Sequence, residues 1–100
     1  KMNMQALMQQ AQRMQKDLMK KKDEIGKKEF VGKSELVEVV FNGNKELISI
    51  NIKKDHSLEV EDIEILEDMI KIAVKDALNK VDKEINEKMG AAAGPLSGLI

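Results

Sequence analysis

Apolar positions along the chain follow two periods and divide it into five stretches. Met4, Leu7, Ala11, Met14 and Leu18 recur at alternating spacings of three and four, and Ile25 lies one heptad beyond Leu18. This is the seam of a helix that lies against another helix. It predicts a helix from Met4 to about Ile25, ended by Gly26, with Lys27 and Lys28 near the negative pole of its dipole. Extended segments follow. Phe30-Val31-Gly32 is the first, with Gly32 as a bulge or a point of close approach. Glu35 to Phe41 is the second. Asn42-Gly43-Asn44 reads as a hairpin turn. Glu46 to Lys53 is the third, with Ile48, Ile50 and Ile52 in strict alternation. Asp55-His56-Ser57 reads as a turn. A second long helix is predicted from about Asp62 to Met89. Its early residues are acidic (Glu59, Glu61, Asp62, Glu64, Glu67, Asp68) and its lysines are commoner later, which suits the helix dipole. From Ile63 to Leu78 apolar residues cover much of its circumference, as in a buried core. Beyond that only Val81, Ile85 and Met89 remain, a narrow stripe for one partner helix.

The fold class is therefore α+β: long helix, three-stranded antiparallel sheet, long helix. Residues 1–89 form a single domain, and residues 90–100 a Gly-rich tail expected to be mobile, with Leu96, Leu99 and Ile100 able to dock. The middle strand carries Val37, Val39 and Phe41 on one side and Leu36 and Val40 on the other, so the sheet needs two covers. Helices of the same chain supply one, and a second subunit is expected to supply the other. Length points the same way. The helices span roughly 34 and 42 Å at 1.5 Å per residue. A compact 100-residue monomer is only about 34 Å across. Paired helix ends projecting as an arm from a shared C₂ core resolve the mismatch.

Composition narrows the chemistry. Of 100 residues, 42% are hydrophobic and 35% charged, within the ordinary range of a folded domain. Phe30 and Phe41 are the two aromatic residues, so the core is aliphatic and Met-rich, and stacking platforms for single-stranded nucleic acid are lacking. With no cysteine, disulfides, zinc–thiolate sites and thiol catalysis are excluded. No apolar run has the length of a membrane span and no signal-peptide pattern opens the chain, so no membrane role is expected and the cytoplasm is the default compartment. The chain opens on Lys1, so an initiator Met or a few residues are expected to precede it.

The net charge is −1, but it is unevenly placed. Residues 1–28 carry eight basic and three acidic side chains, whereas residues 29–100 carry nine basic and fifteen acidic. On a heptad with Met4, Ala11, Leu18 and Ile25 at position a, Arg13, Lys20 and Lys27 share position c, about 10.5 Å apart along the axis. Lys16 falls beside that row, and Asp17 and Glu24 on another flank. Such a stripe suits a phosphate backbone bound by counterion release without base reading. As a feature of one helix it also suits a solvated face. The candidate DNA-contacting residues are Arg13, Lys16, Lys20 and Lys27, then Lys21, Lys22 and Lys28, with Lys80, Lys83 and Lys88 on the second helix as weaker candidates.

Enzymatic readings find little support. His56 is the sole histidine and lies in a turn. The acidic residues 59–68 lack the spacing of a calcium loop. Gly26, Gly32 and Gly43 do not make a phosphate-binding loop. No nucleophile–base pair, cofactor site, metal site or small-molecule substrate is expected. The Met positions suit helix packing. They also suit a chaperone-like or scaffold protein that holds a protein partner between helical arms.

The whole chain resembles the YbaB/EbfC family of small nucleoid-associated DNA-binding proteins. Residues 2–15, with Met2-Asn3-Met4 and Gln9-Gln10-Ala11-Gln12-Arg13-Met14-Gln15, are similar to its Met/Gln-rich first helix. Val31-Gly32-Lys33-Ser34 resembles its first strand, and Leu36-Val37-Glu38-Val39 with Asn42-Gly43 its hairpin. Asp55-His56-Ser57-Leu58 stands where the family has Asp-Pro-Ser-Leu. Ile65-Leu66-Glu67-Asp68-Met69-Ile70, Asn79 and Glu87-Lys88-Met89 resemble its second long helix. Two departures stand out: Ser34-Glu35-Leu36 run on without the family's Gly-rich insertion, and His56 replaces the turn proline. The resemblance implies a tweezer-like homodimer with projecting helical arms. It also implies double-stranded DNA as partner, and an organising or regulatory role on the nucleoid in a bacterial cytoplasm.

Overall fold

The computed structural model describes residues 3–54 and 57–90. Helix α1 spans Met4–Lys27. Strands β1 (Glu29–Lys33), β2 (Val37–Asn42) and β3 (Leu47–Ile52) follow. A short 3₁₀ turn, Val60–Asp62, leads into helix α2, Ile63–Met89. The predicted order of elements is the observed one. Residues 91–100 of the expected tail, and Asp55 and His56 of the expected turn, lie outside the described residues.

Helix α1 starts where Asn3, in extended backbone, accepts a hydrogen bond on its side chain from the Gln5 N–H, a normal N-cap. It does not stop at Gly26 as its sequence suggests. It runs on to Lys27, and the Lys28 N–H closes the last turn on the Ile25 carbonyl. Gly26 serves packing: its carbonyl accepts the Gly43 N–H from the β2–β3 hairpin, which fixes the helix end to the sheet.

The sheet is antiparallel with β2 central. Phe30 faces Phe41 and Gly32 faces Val39 across β1–β2, while Val39 faces Ile50 and Val37 faces Ile52 across β2–β3. These residues share the face on which α2 lies. Helix α2 crosses β1 and β2, and Val37, Val39, Phe41, Ala73 and Ala77 form the buried core between them. Gly32 makes the crossing possible. A Cβ there would sit 2.0 Å from the Ala73 carbonyl oxygen, so the helix backbone rests directly on the strand.

The hairpin turn lies where its sequence reading puts it. Its left-handed residue is Lys45 (φ 63°). The Lys45 N–H bonds the Asn42 carbonyl, and the Asn42 side chain accepts the N–H groups of Asn44 and Glu46, giving a type I turn closed by a left-handed residue. Gly43 is demanded instead by proximity, since a Cβ there would lie 1.9 Å from the Ile25 carbonyl oxygen.

A second cluster holds the base of the arm. Ile25 of α1 packs with Val81, Ile85 and Met89 of α2, with Leu18 and Phe30 half-buried against them. Lys28 is paired with Glu84, and Lys45 with Asp82 at 2.9 Å. The helices run antiparallel here, and the molecule is drawn out to 73 Å by 19 by 16 Å.

Three expectations need correction. The α1 seam meets α2 only at its inner end: Leu18 and Ile25 are covered, but Met4, Leu7, Ala11 and Met14 are exposed. The first half of α2 is not wholly buried, with Ile63, Ile65 and Ile72 more than half exposed. Finally, the larger uncovered apolar surface of the sheet is not behind β2. It lies on β3, where Leu47, Ile48 and Ile50 stand beyond the edge of α2, whereas Leu36 and Val40 are half-buried.

Candidate nucleic-acid interface

Helix geometry sets the site. At 100° per residue, Arg13, Lys20, Lys27 and Lys16 fall within an arc of about 60°, on a row about 21 Å long. All four are exposed. The apolar seam lies on another side of α1, so packing and charge do not compete for the same surface. The row starts beside the sheet at Lys27 and reaches the middle of the projecting helix at Arg13.

The other candidates divide. Lys22 and Lys21 are exposed on either flank of the seam. Lys21 lines a groove between the helices with Glu24, Ile25, Lys28, Glu87 and Lys88. Lys28 is taken up by Glu84, whose carboxyl is held below its ordinary range by the hydrogen bond from the Lys28 ammonium. Lys80 is committed to the fold: its Nζ donates to the Val31 carbonyl at 2.6 Å and lies 3.3 Å from Asp76. Lys83 and Lys88 are exposed. Among the described residues no ion-pair partner lies within 4.0 Å of Arg13, Lys16, Lys20 or Lys27, although Asp17, Asp23 and Glu24 flank the row. Sequence periodicity alone placed the row, but the pairing of Lys28 with Glu84 and the bond of Lys80 to Val31 depend on tertiary contacts across the chain.

Other chemistry is sparse. Among the described residues no group of three His, Asp or Glu side chains is placed to hold a metal ion. Nor, among the described residues, is any helix long and apolar enough to cross a membrane. A groove at the start of α2 is lined by Leu36, Leu58, Ile65, Leu66 and Met69, a mainly aliphatic surface joined by Ser57 and Asp62.

The chain is similar to known proteins. The chain is 41% identical over 96 residues to a nucleoid-associated protein of Pelotomaculum thermopropionicum, covering 94% of this chain and 90% of that protein. It is 46% identical over 97 residues to a nucleoid-associated protein of Streptococcus agalactiae, covering 95% and 97%. The crystal structure of an uncharacterized protein from Helicobacter pylori superposes with a TM-score of 0.76 at 22% identity, covering 94% of this chain and all of that one, which shows the common fold. The model of the YbaB/EbfC DNA-binding family matches residues 1–96, and the chain belongs to that family.

Proposed function

We propose that this protein binds double-stranded DNA as a homodimer, through phosphate contacts, as a nucleoid-associated organising or regulatory protein of a bacterial cytoplasm. The observation that carries the reading is the exposed row of Arg13, Lys16, Lys20 and Lys27 on a projecting helix of a chain from a DNA-binding family. The row carries neither an aromatic platform nor a base-reading constellation, so affinity comes from charge. Each phosphate neutralised adds about 0.9 to the slope of log affinity against log salt. The relatives named nucleoid-associated proteins support the cellular setting.

The second copy is supported by the uncovered apolar surface. Asp76 and Lys80 hold one flank of α2 to the β1 edge. The opposite flank carries Ile63, Ile70, Val74 and Leu78, and beside it β3 presents Leu47, Ile48 and Ile50. Ile50 is 47% exposed and Ile63 53%. Exposed aliphatic side chains on an open edge strand invite pairing, and a two-fold contact through them covers that edge.

The test is a titration with unrelated duplexes at several salt concentrations. The wild-type protein is expected to bind all of them with an affinity that falls steeply with salt. Arg13→Gln, Lys16→Gln, Lys20→Gln and Lys27→Gln combined should weaken binding to every sequence and flatten the salt slope while the fold is kept. Unchanged affinity in that variant removes the row from the site. Four exposed methionines on α1 (Met4, Met8, Met14 and Met19) favour the second reading, a scaffold or chaperone-like protein. Absence of duplex binding at low salt, with suppressed aggregation of a client protein, would select it.

A further inference from the structure

Methionines differ sharply in exposure along this chain. Met4 (74% exposed), Met8 (61%), Met14 (61%) and Met19 (62%) stand in water on α1. Met69 is half-buried against the core between α2 and the sheet, and Met89, 7% exposed, belongs to the cluster around Ile25. At 100° per residue Met4 and Met14 lie on the α1 seam, and Met8 and Met19 lie between the seam and the row of cations. Met19 follows Lys16 by three residues, so the two side chains are neighbours on the helix surface. The stretch that carries these methionines has little tertiary support. Every residue from Met4 to Asp17 is exposed, so its helicity rests on backbone hydrogen bonds, the Asn3 cap and side-chain propensity. A helical segment of about fourteen residues held in that way is marginal in water. Methionine suits it, being unbranched and a good helix former. A sulfoxide in its place brings a polar acceptor that competes for backbone N–H groups, as the side chains of Ser and Asn do.

We propose that Met4, Met8, Met14 and Met19 form a site of reversible oxidation by peroxides, whose sulfoxides loosen the outer half of α1. The thioether sulfur attacks one peroxide oxygen: the S–O bond forms as the O–O bond breaks, and sulfur gives up two electrons. The proton of the transferred oxygen goes to the departing hydroxide, which leaves as water. A methionine sulfoxide reductase with a thiol reductant reverses the step, the oxygen leaving as water while two thiols become a disulfide. Arg13 and Lys16 lie in the affected stretch, and their alignment with Lys20 and Lys27 exists only while it is helical. Oxidation thereby lowers affinity for DNA. That consequence rests on the DNA-binding reading, whereas the chemistry at the thioethers does not.

Peptide mass spectrometry and hydrogen exchange on the full chain, before and after hydrogen peroxide, test the site. Met4, Met8, Met14 and Met19 are expected to gain oxygen first, with Met89 about tenfold slower. Exchange of amides 8–17 should quicken by about threefold or more while Val37–Phe41 keep their protection. Met4→Leu, Met8→Leu, Met14→Leu and Met19→Leu combined keep apolar volume and helix propensity, and amides 8–17 of that variant should not respond to peroxide. Oxidation of Met89 as fast as that of the α1 methionines overturns the proposal. So does unchanged exchange in the oxidised wild type, or an equal response of the leucine variant. Duplex affinity, measured once the peroxide is removed, should fall by about threefold or more in the wild type and hold in the leucine variant. Equal affinity of the oxidised and untreated wild type overturns the control of binding. An untreated protein that binds no duplex removes the proposed function instead, and the oxidation site is then decided by the first two measurements.

Discussion

Single residues decide where elements touch. Gly32 lets α2 lie on β1 at backbone distance, with Ala73 and Ala77 completing the contact. Adding one methyl group at Gly32 would place it against backbone atoms of α2, the Ala73 carbonyl oxygen at 2.0 Å and the Ala77 nitrogen at 2.6 Å, which cannot swing aside as a side chain would. Gly32→Ala is therefore expected to destabilise the fold by about 2–3 kcal/mol, the upper range for overpacking a tight core. The midpoint of urea unfolding measures it, and a change under about 0.5 kcal/mol, the scatter of ordinary surface substitutions, would contradict the close approach. Sequence pattern marked this glycine as a bulge or a close approach without distinguishing the two. The choice needed the position of a helix more than forty residues away.

At the scale of elements, one carboxylate docks α2 to the sheet edge. Asp76 accepts the Lys33 N–H at 3.0 Å and neighbours the Lys80 ammonium. The backbone hydrogen bond, more than Lys80, holds its carboxyl below the ordinary value of 3.8. A carboxylate depressed on folding contributes stability that is present above its unfolded pKa and lost as pH falls through the folded one. The stability of the wild type is thus expected to fall below about pH 4 partly through this residue. Asp76→Asn should be less stable than the wild type near neutral pH, and the gap should narrow toward pH 2. Urea midpoints across that range test it, and parallel curves would rule out Asp76 as a contributor. The same contact blocks one edge of the sheet. With Lys80 on the Val31 carbonyl and Asp76 on the Lys33 N–H, β1 has two of its outward groups occupied. Among the described residues strand β3 has no such guard, so the two edges of the sheet are chemically unequal.

That inequality governs the whole molecule. The apolar surface left by β3 and the far flank of α2 is the surface that the proposed dimer buries. Ile50→Lys and Ile63→Lys together place two cations in that face and should weaken self-association by about 100-fold or more, as for two central interface residues. Both positions are about half exposed, so the core between α2 and the sheet should survive. Light scattering over a dilution series, alongside circular dichroism, separates the two effects. A wild-type protein that is monomeric at tens of micromolar would remove the dimer from the proposal.

Periodicity along the chain determined the identity and order of the elements, the α1 seam, and the placement of Arg13, Lys16, Lys20 and Lys27 on one side of it. These follow from 3.6-residue and two-residue repeats, which are local and survive in any context. Only tertiary structure decided which parts of the seam are used. Leu18 and Ile25 are covered because α2 reaches them, while Met4 to Met14 are not, because α2 ends at Met89. It also decided that Lys28 is committed to Glu84 and Lys80 to the Val31 carbonyl, and that the open face lies at β3. A pattern of apolar residues states that a face must be covered. What covers it depends on where other elements end, and that information is not local to the face.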